Sequence, residues 1–193
     1  VLIAIEGIDG AGKTTIARFL KEELEKRGHE VVLLKEPTDS PWGKKLKESY
    51  NSRLTPEEEL ELFILDRKHN VEHNIIPALR DGKIMILDRY YYSTMAYQGA
   101  LGFDIEEIRR RNEEIAPKPD LVILLDITPE KGVERISKRG EKPNRFEDVE
   151  YLKKVREIFL SLKNNVIVIN AERDIEEVKK DVLNIVLNYL QSR

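Results

Sequence analysis

The residues best equipped for chemistry gather in a few short stretches. The densest is Gly7-Ile8-Asp9-Gly10-Ala11-Gly12-Lys13-Thr14, which fits the pattern G-x-x-x-x-G-K-[ST] and is followed by a second hydroxyl, Thr15. Glycines there let the backbone wrap closely around an anion. Loop N–H groups then point at phosphate oxygens, and a helix N-terminus adds a positive field. Lys13 would reach the β- and γ-phosphates, and the Thr14 hydroxyl would hold Mg²⁺. The plainer reading is a glycine-rich turn. Context argues against it: Val1 to Ile5 is an apolar run of strand length, and from Thr14 to Arg27 the residues Ile16, Phe19, Leu20 and Leu24 fall on one helical face. The motif predicts nucleotide binding and leaves the reaction open.

Other stretches carry polar chemistry. Lys35-Glu36-Pro37-Thr38-Asp39-Ser40-Pro41 reads as an ordered loop, or as an ordinary turn into a helix near Trp42. Asp88-Arg89-Tyr90 offers a carboxylate that would steer Mg²⁺ through water and a planar cation that would hold a phosphoryl group. Either residue alone also suits a surface ion pair. Tyr90 to Gly99 holds four of the seven tyrosines, fit for a base and sugar or for the rim of a core. Leu60, Phe63, Ile64 and Arg67 share one face of a long helix; Phe63 reads as core, whereas a guanidinium on an apolar face wants a partner. Arg135, Lys138, Arg139, Lys142 and Arg145 surround Gly140 and Pro143, as a solvated charged face or as a basic lid closing on a triphosphate.

The elements that must position these residues follow from hydrophobic patterning. Strands are expected at Leu2–Ile5, Glu30–Lys35, Lys83–Leu87, Leu121–Leu125 and Val166–Ile169, nearly continuous in Ile, Val and Leu as parallel strands covered on both faces should be. Helical stretches lie between them. One runs from Pro56 to Leu79, opened by Thr55-Pro56-Glu57-Glu58, and the last spans Ile175–Leu190. The fold class is α/β, a three-layer sandwich with a five-stranded parallel sheet, helices on both faces and a small lid. The organisation expected is one domain over residues 1–193 with a lid at about 138–147. Ligands of such sheets bind beyond the carboxyl ends of the strands, where each polar stretch above falls.

Composition narrows the partners. A net charge of −3 gives no field for nucleic acid or an anionic membrane. No cysteine is present, so disulfides and thiolate metal sites are excluded and a cytoplasmic setting is expected. No apolar run has membrane-spanning length, and the chain enters a strand directly rather than through a signal peptide. Val1 leads us to expect at least one residue ahead of it.

Taken together these stretches resemble the thymidylate kinases, nucleoside monophosphate kinases that transfer phosphate from ATP to dTMP. The resemblance covers essentially the whole chain. It rests on Glu6 to Thr15, Lys35-Glu36-Pro37, Phe63-Ile64-Leu65-Asp66-Arg67, Asp88-Arg89-Tyr90, Ser93-Thr94, Ala96-Tyr97-Gln98-Gly99, Pro119-Asp120-Leu121, Lys138-Arg139-Gly140 and Arg145-Phe146-Glu147. The phosphate loop is shared with many kinases; the Phe-x-x-x-Arg helix and the Asp-Arg-Tyr segment are more specific.

The resemblance implies roles residue by residue. ATP would lie on Gly7 to Thr15, with Arg139 against adenine and Ala171–Arg173 bordering it. Phe63 would stack on thymine and Arg67 would bond the base. Asp9 would read the sugar 3′-hydroxyl and, with Thr14 and Asp88, organise Mg²⁺. Arg89 and Lys35 would hold phosphate in the loop that also contains Glu36 and Pro37. Ser93, Thr94, Tyr97 and Gln98 would read base and sugar, with Tyr97 disfavouring a ribose 2′-hydroxyl. Catalytic positions would be Lys13, Arg89, Asp9 and Arg145. The resemblance also suggests a homodimer. Two departures stand out. Some members carry arginine in the phosphate loop where this chain has Gly10, which moves the catalytic cation to the lid, at Arg145. Many carry arginine where this chain has Lys35, a point charge rather than a fork.

Transfer to a phosphate acceptor needs no strong base, and His29, His69 and His73 are expected on the surface. The rival readings are a deoxynucleoside kinase or another monophosphate kinase of the same fold, with Glu36 or Asp88 as base for a hydroxyl acceptor, and a partner-regulated ATPase. A guanine-reading Asn-Lys-x-Asp motif is absent from the sequence.

Overall fold

The computed structural model describes residues 1–51, 54–141 and 148–193. Its centre is a five-stranded, all-parallel sheet in the order β2-β3-β1-β4-β5. The strands are β1 (Leu2–Glu6), β2 (Val31–Lys35), β3 (Ile84–Asp88), β4 (Leu121–Asp126) and β5 (Val166–Asn170). Each lies within about one residue of its expected position at either end. The helices named below are α1 (Lys13–Lys26), α2 (Pro41–Glu48), α3 (Pro56–Asn70), α4 (Ile76–Arg80), α5 (Tyr91–Gly99), α6 (Ile105–Glu113), α7 (Pro129–Lys138), α8 (Val149–Ser161) and α9 (Ile175–Gln191).

Full burial holds only for part of the sheet. β3 is buried throughout, as is β1, and β4 nearly so, whereas β2 and β5 are partly exposed. The last two form the sheet edges, where one flank has no neighbouring strand among the described residues. Strand register sets out the working rim: Lys35 pairs with Asp88, Asp88 with Ile5, and Glu6 with Leu124. Residues far apart in sequence thus arrive at adjacent strand ends. The chain places β3 and β2 on one side of β1 and β4 and β5 on the other, so the loop after β1 sits where the strand order reverses.

The long helix opens as its residues dictate and then departs from regularity. Thr55 and Glu58 form a reciprocal capping box, with Glu58 N donating to Thr55 Oγ1 at 3.1 Å and Thr55 N to Glu58 Oε2 at 2.9 Å. One continuous helix to Leu79 was expected. Instead a widened π turn, Val71–Ile75, separates α3 from α4. Pro77 has no N–H to give one turn back, and its ring crowds the carbonyl there; a wider turn relieves both.

Candidate active site

At the rim, Gly12 has φ of 96° and leads into α1 without any side-chain cap. A left-handed residue turns the loop so that the first helical N–H groups face outward, unclaimed by a side chain. Asp9, Gly10, Gly12, Lys13, Thr14 and Thr15 line a cavity of about 460 Å³. Gly7, Ile8 and Ala11 form the inner wall: Ile8 and Ala11 are buried, and the Gly7 carbonyl accepts from Arg89 Nη1 at 3.1 Å. Lys13 Nζ donates to the Ile8 carbonyl at 2.8 Å. Burial and the Arg89 charge lower the Lys13 pKa to about 7, against the opposing pull of Asp9, Asp88 and Glu6.

Arg89 stands at the end of β3 with φ of 75°, a left-handed conformation that is strained for a side chain of this size. Its guanidinium donates through Nη1 to Ser93 Oγ at 2.9 Å and through Nη2 to Asp9 Oδ1, and lies 5.1 Å from the centre of the Tyr97 ring. Burial alone would push Asp9 up; Arg89 and Lys13 outweigh it and hold the carboxyl below its ordinary value. On the neighbouring α1, Thr14 Oγ1 donates to Asp88 Oδ2 at 2.7 Å. Asp88 Oδ1 is buried without a partner among the described residues.

The other end of the same cavity is built from α3 and the loop after β2. Phe63, which read as core, is half-buried and lines the cavity one turn before Arg67. Arg67 finds its partner in Glu36: Nε donates to Oε1 at 2.9 Å with both side chains nearly inaccessible. Asn70 Nδ2 donates to the second Glu36 oxygen at 2.9 Å. Burial raises the Glu36 pKa, opposed by Arg67. Next door Asp66 gathers Thr38 N at 2.9 Å, Thr38 Oγ1 at 2.6 Å and Ser40 Oγ at 2.6 Å, which fixes the loop carrying Lys35, Glu36 and Pro37. Those three residues line the cavity, as do Ser93, Thr94 and Tyr97 from α5. A glycine-rich loop and a flat apolar ring neighbouring a cation therefore share one cleft.

The thymidylate kinase family model matches residues 5–182. A protein from Archaeoglobus fulgidus named "Probable thymidylate kinase" is 52% identical over 191 residues, covering 98% of this chain and 96% of the relative. A "Thymidylate kinase" from Xanthomonas euvesicatoria is 47% identical over 195 residues, covering 100% of this chain and 86% of the relative. One from Xylella fastidiosa is 45% identical, covering 100% and 93%.

The chain belongs to the thymidylate kinase family.

Not every residue that the family resemblance pointed to comes to the cleft. Gln98 is fully buried and absent from the cavity lining; its Nε2 donates to the Pro56 carbonyl at 3.3 Å. Gln98 follows Thr94 by one turn of α5, and its bond to Pro56 turns the amide toward the start of α3 rather than into the cavity. Arg139 lines the cavity beside Glu141, while Arg145 and most of the expected lid lie outside the described residues. Ala171 does not line the cavity; its carbonyl accepts from Arg135 Nη2 at 2.9 Å. Most of the tyrosine cluster is core: Tyr90 and Tyr91 are fully buried, their hydroxyls donating to the Pro117 carbonyl and to Glu113, and Tyr90 also borders the cavity. His29 and His73 are exposed, and His69 is half-buried against Trp42 and His73.

Sequence reasoning missed several members of this thymidylate kinase cleft. Lys47, Tyr50 and Glu141 line it. Burial pushes the Tyr50 hydroxyl up to about 12. Glu6, quoted only as part of a motif, does not line the cavity; fully buried, it accepts from Ser93 N at 2.8 Å and from Ser93 Oγ at 2.6 Å. Its charge preceding a glycine-rich loop was the available signal. Tyr50 carried none, since it lies in a single turn, Ser49–Asn51, without periodicity.

Proposed function

We propose that this chain transfers the γ-phosphoryl group of ATP to dTMP, giving dTDP and ADP. The observation that carries the reading is the single cavity joining Lys13 and Thr14 at one end to Phe63 and Arg67 at the other. Thymine stacks on Phe63, and its carbonyl edge meets the guanidinium of Arg67. Arg89 and Lys35 hold the acceptor phosphate, and Asp9, already paired to Arg89, takes the sugar 3′-hydroxyl. Tyr97, packed under Arg89, leaves little space for a ribose 2′-hydroxyl. ATP phosphates occupy the loop and the start of α1, with Lys13 as their counter-charge and Arg139 towards the adenine.

Phosphoryl transfer rests on alignment and neutralisation of charge. The acceptor is already anionic, so no base is required. Both Glu36 oxygens are engaged by Arg67 and Asn70, which leaves that carboxylate poorly placed to activate a hydroxyl acceptor, as a deoxynucleoside kinase would need. Arg145 is our proposed cation over the transferred group, because this chain has Gly10 where some family members carry arginine in the loop. A lid over about 138–147 that excludes water would suppress hydrolysis.

The residues fit a divalent cation. Thr14 supplies a hydroxyl, and Asp88 Oδ1 is a buried carboxylate oxygen lacking a partner among the described residues. No group of three or more His, Cys, Asp or Glu suited to a metal occurs among the described residues. Bound there, Mg²⁺ would neutralise developing phosphate charge; Thr14 and Asp88 would hold it, with Asp9 nearby.

A homodimer and a cytoplasmic setting complete the proposal. Exposed Leu65 on α3 is an apolar residue that a second copy would cover, and no described helix is long and apolar enough to cross a membrane. ADP release from Mg·ATP is the test, with dTMP, dUMP, UMP, CMP, AMP, thymidine or no acceptor. Dominant turnover with dTMP is expected. Release equal in every well would leave a phosphate-loop ATPase, and turnover with thymidine alone a nucleoside kinase.

A further inference from the structure

Arg67 is 2% exposed, so its charge must be met inside the protein and its direction is fixed by what meets it. Glu36 supplies the counter-charge at Nε. Two neutral groups then set the plane: Nη1 donates to Asn112 Oδ1 at 2.6 Å, and Nη2 to Thr94 Oγ1 at 3.2 Å. The guanidinium carbon sits 5.6 Å from the centre of the Tyr90 ring. Among the described residues, three of the five N–H donors are used in this way, and one on each terminal nitrogen is left over.

Asn112 reaches across from α6, 45 residues along the chain, and is fully buried. It does not line the cavity. Its orientation is settled by its own helix. Nδ2 donates to the Ile108 carbonyl at 2.8 Å, so Oδ1 is the atom turned to Arg67. A neutral amide contributes no counter-charge. Its bond to Nη1 therefore does something Glu36 does not: it selects which edge of the guanidinium faces the cleft.

We propose that Asn112 is a positioning residue for base recognition, holding the two remaining Arg67 donors at the edge of the pyrimidine. The proposal rests on the kinase reading above. Thymine presents a carbonyl at its 4-position, which accepts from such donors, while cytosine presents an amine there, which does not. Asn112 thereby contributes to discrimination without touching the substrate.

The test compares Asn112→Leu with Asn112→Asp, measuring kcat and KM for dTMP, KM for ATP, and the ratio of kcat/KM for dTMP over dCMP. Both variants lose the bond to Ile108, and only leucine loses the acceptor for Arg67. Asn112→Leu is expected to raise KM for dTMP about tenfold and to lower the dTMP/dCMP ratio by a similar factor, with kcat and KM for ATP within about twofold. Asn112→Asp keeps KM for dTMP near wild type. With Arg67→Met already present, Asn112→Leu adds less than about twofold. Asn112→Ala carries the same expectations should the leucine variant not fold. A wild type active on dTMP whose ratio is unchanged by these variants overturns the proposal alone, as does an equal effect with Arg67→Met present. A wild type that hydrolyses ATP without phosphorylating dTMP overturns the kinase reading and this inference with it.

Discussion

Gly10 of the phosphate loop and Gly132 of α7 meet backbone to backbone. A Cβ on Gly10 would lie 2.3 Å from the Gly132 carbonyl oxygen, and one on Gly132 would lie 2.6 Å from the Asp9 carbonyl oxygen. Arg135, one turn further along α7, donates to the Gly10 carbonyl at 3.3 Å. Helix α7 therefore leans on the glycine-rich loop after β1. A side chain at position 10 has no room unless α7 withdraws. Gly132→Ala should cost about 1–3 kcal/mol of stability through overpacking. It should also raise KM for ATP more than KM for dTMP. Thermal unfolding and steady-state kinetics check this, and an unchanged Tm would show that α7 yields freely.

Phe63 should carry a large share of acceptor affinity at little structural cost. It is half-buried beside the cleft rather than in the packed core. Stacking of a base on an aromatic ring is worth about 1–3 kcal/mol by alanine substitution, so Phe63→Ala should raise KM for dTMP roughly 5- to 150-fold. KM for ATP and Tm should stay close to wild type. A large fall in Tm would instead return Phe63 to the core.

Much of this architecture was legible because the informative residues are local. The phosphate loop declares itself in eight residues, and apolar runs of strand length located all five strands to within about one residue. What stayed hidden depends on contacts across the fold. Asn112 looks like any polar residue in a charged helix until α6 packs against α5 and brings it to Arg67. Asp66 is an unremarkable acid until the loop after β2 folds over it. Gln98 is set apart by a contact between helices: its amide donates to the Pro56 carbonyl at the start of α3, which the sequence of α5 does not announce.

Glu6 should give stability an unusual pH dependence. Burial pushes its carboxyl up from 4.5 to about 7, against the lowering effects of Ser93 and Arg89. Between those values the folded protein retains a proton that the unfolded chain has released. Stability attributable to Glu6 therefore falls as pH rises from about 4.5 to about 7 and is level above. Urea unfolding of wild type and Glu6→Gln from about pH 5 to pH 8 isolates the group. The wild-type stability should decline relative to the variant up to about pH 7 and run parallel to it above. A constant difference would mean that the carboxyl keeps its ordinary pKa.

Nucleotide binding should take up a proton through Lys13. Burial and Arg89 bring its ammonium down to about 7, so above that pH the group is largely neutral before ATP arrives. Phosphate oxygens stabilise the charged form and restore the pKa toward its usual range. At about pH 8 each binding event should therefore draw close to one proton from solution, and ATP affinity should weaken as pH rises from about 7 toward 10. Calorimetry in buffers of different ionisation enthalpy counts the protons directly. Lys13→Met should abolish the uptake as well as weaken binding. Binding enthalpies that are the same in every buffer would show that Lys13 is already charged in the free protein, with Asp9 and Asp88 outweighing its burial.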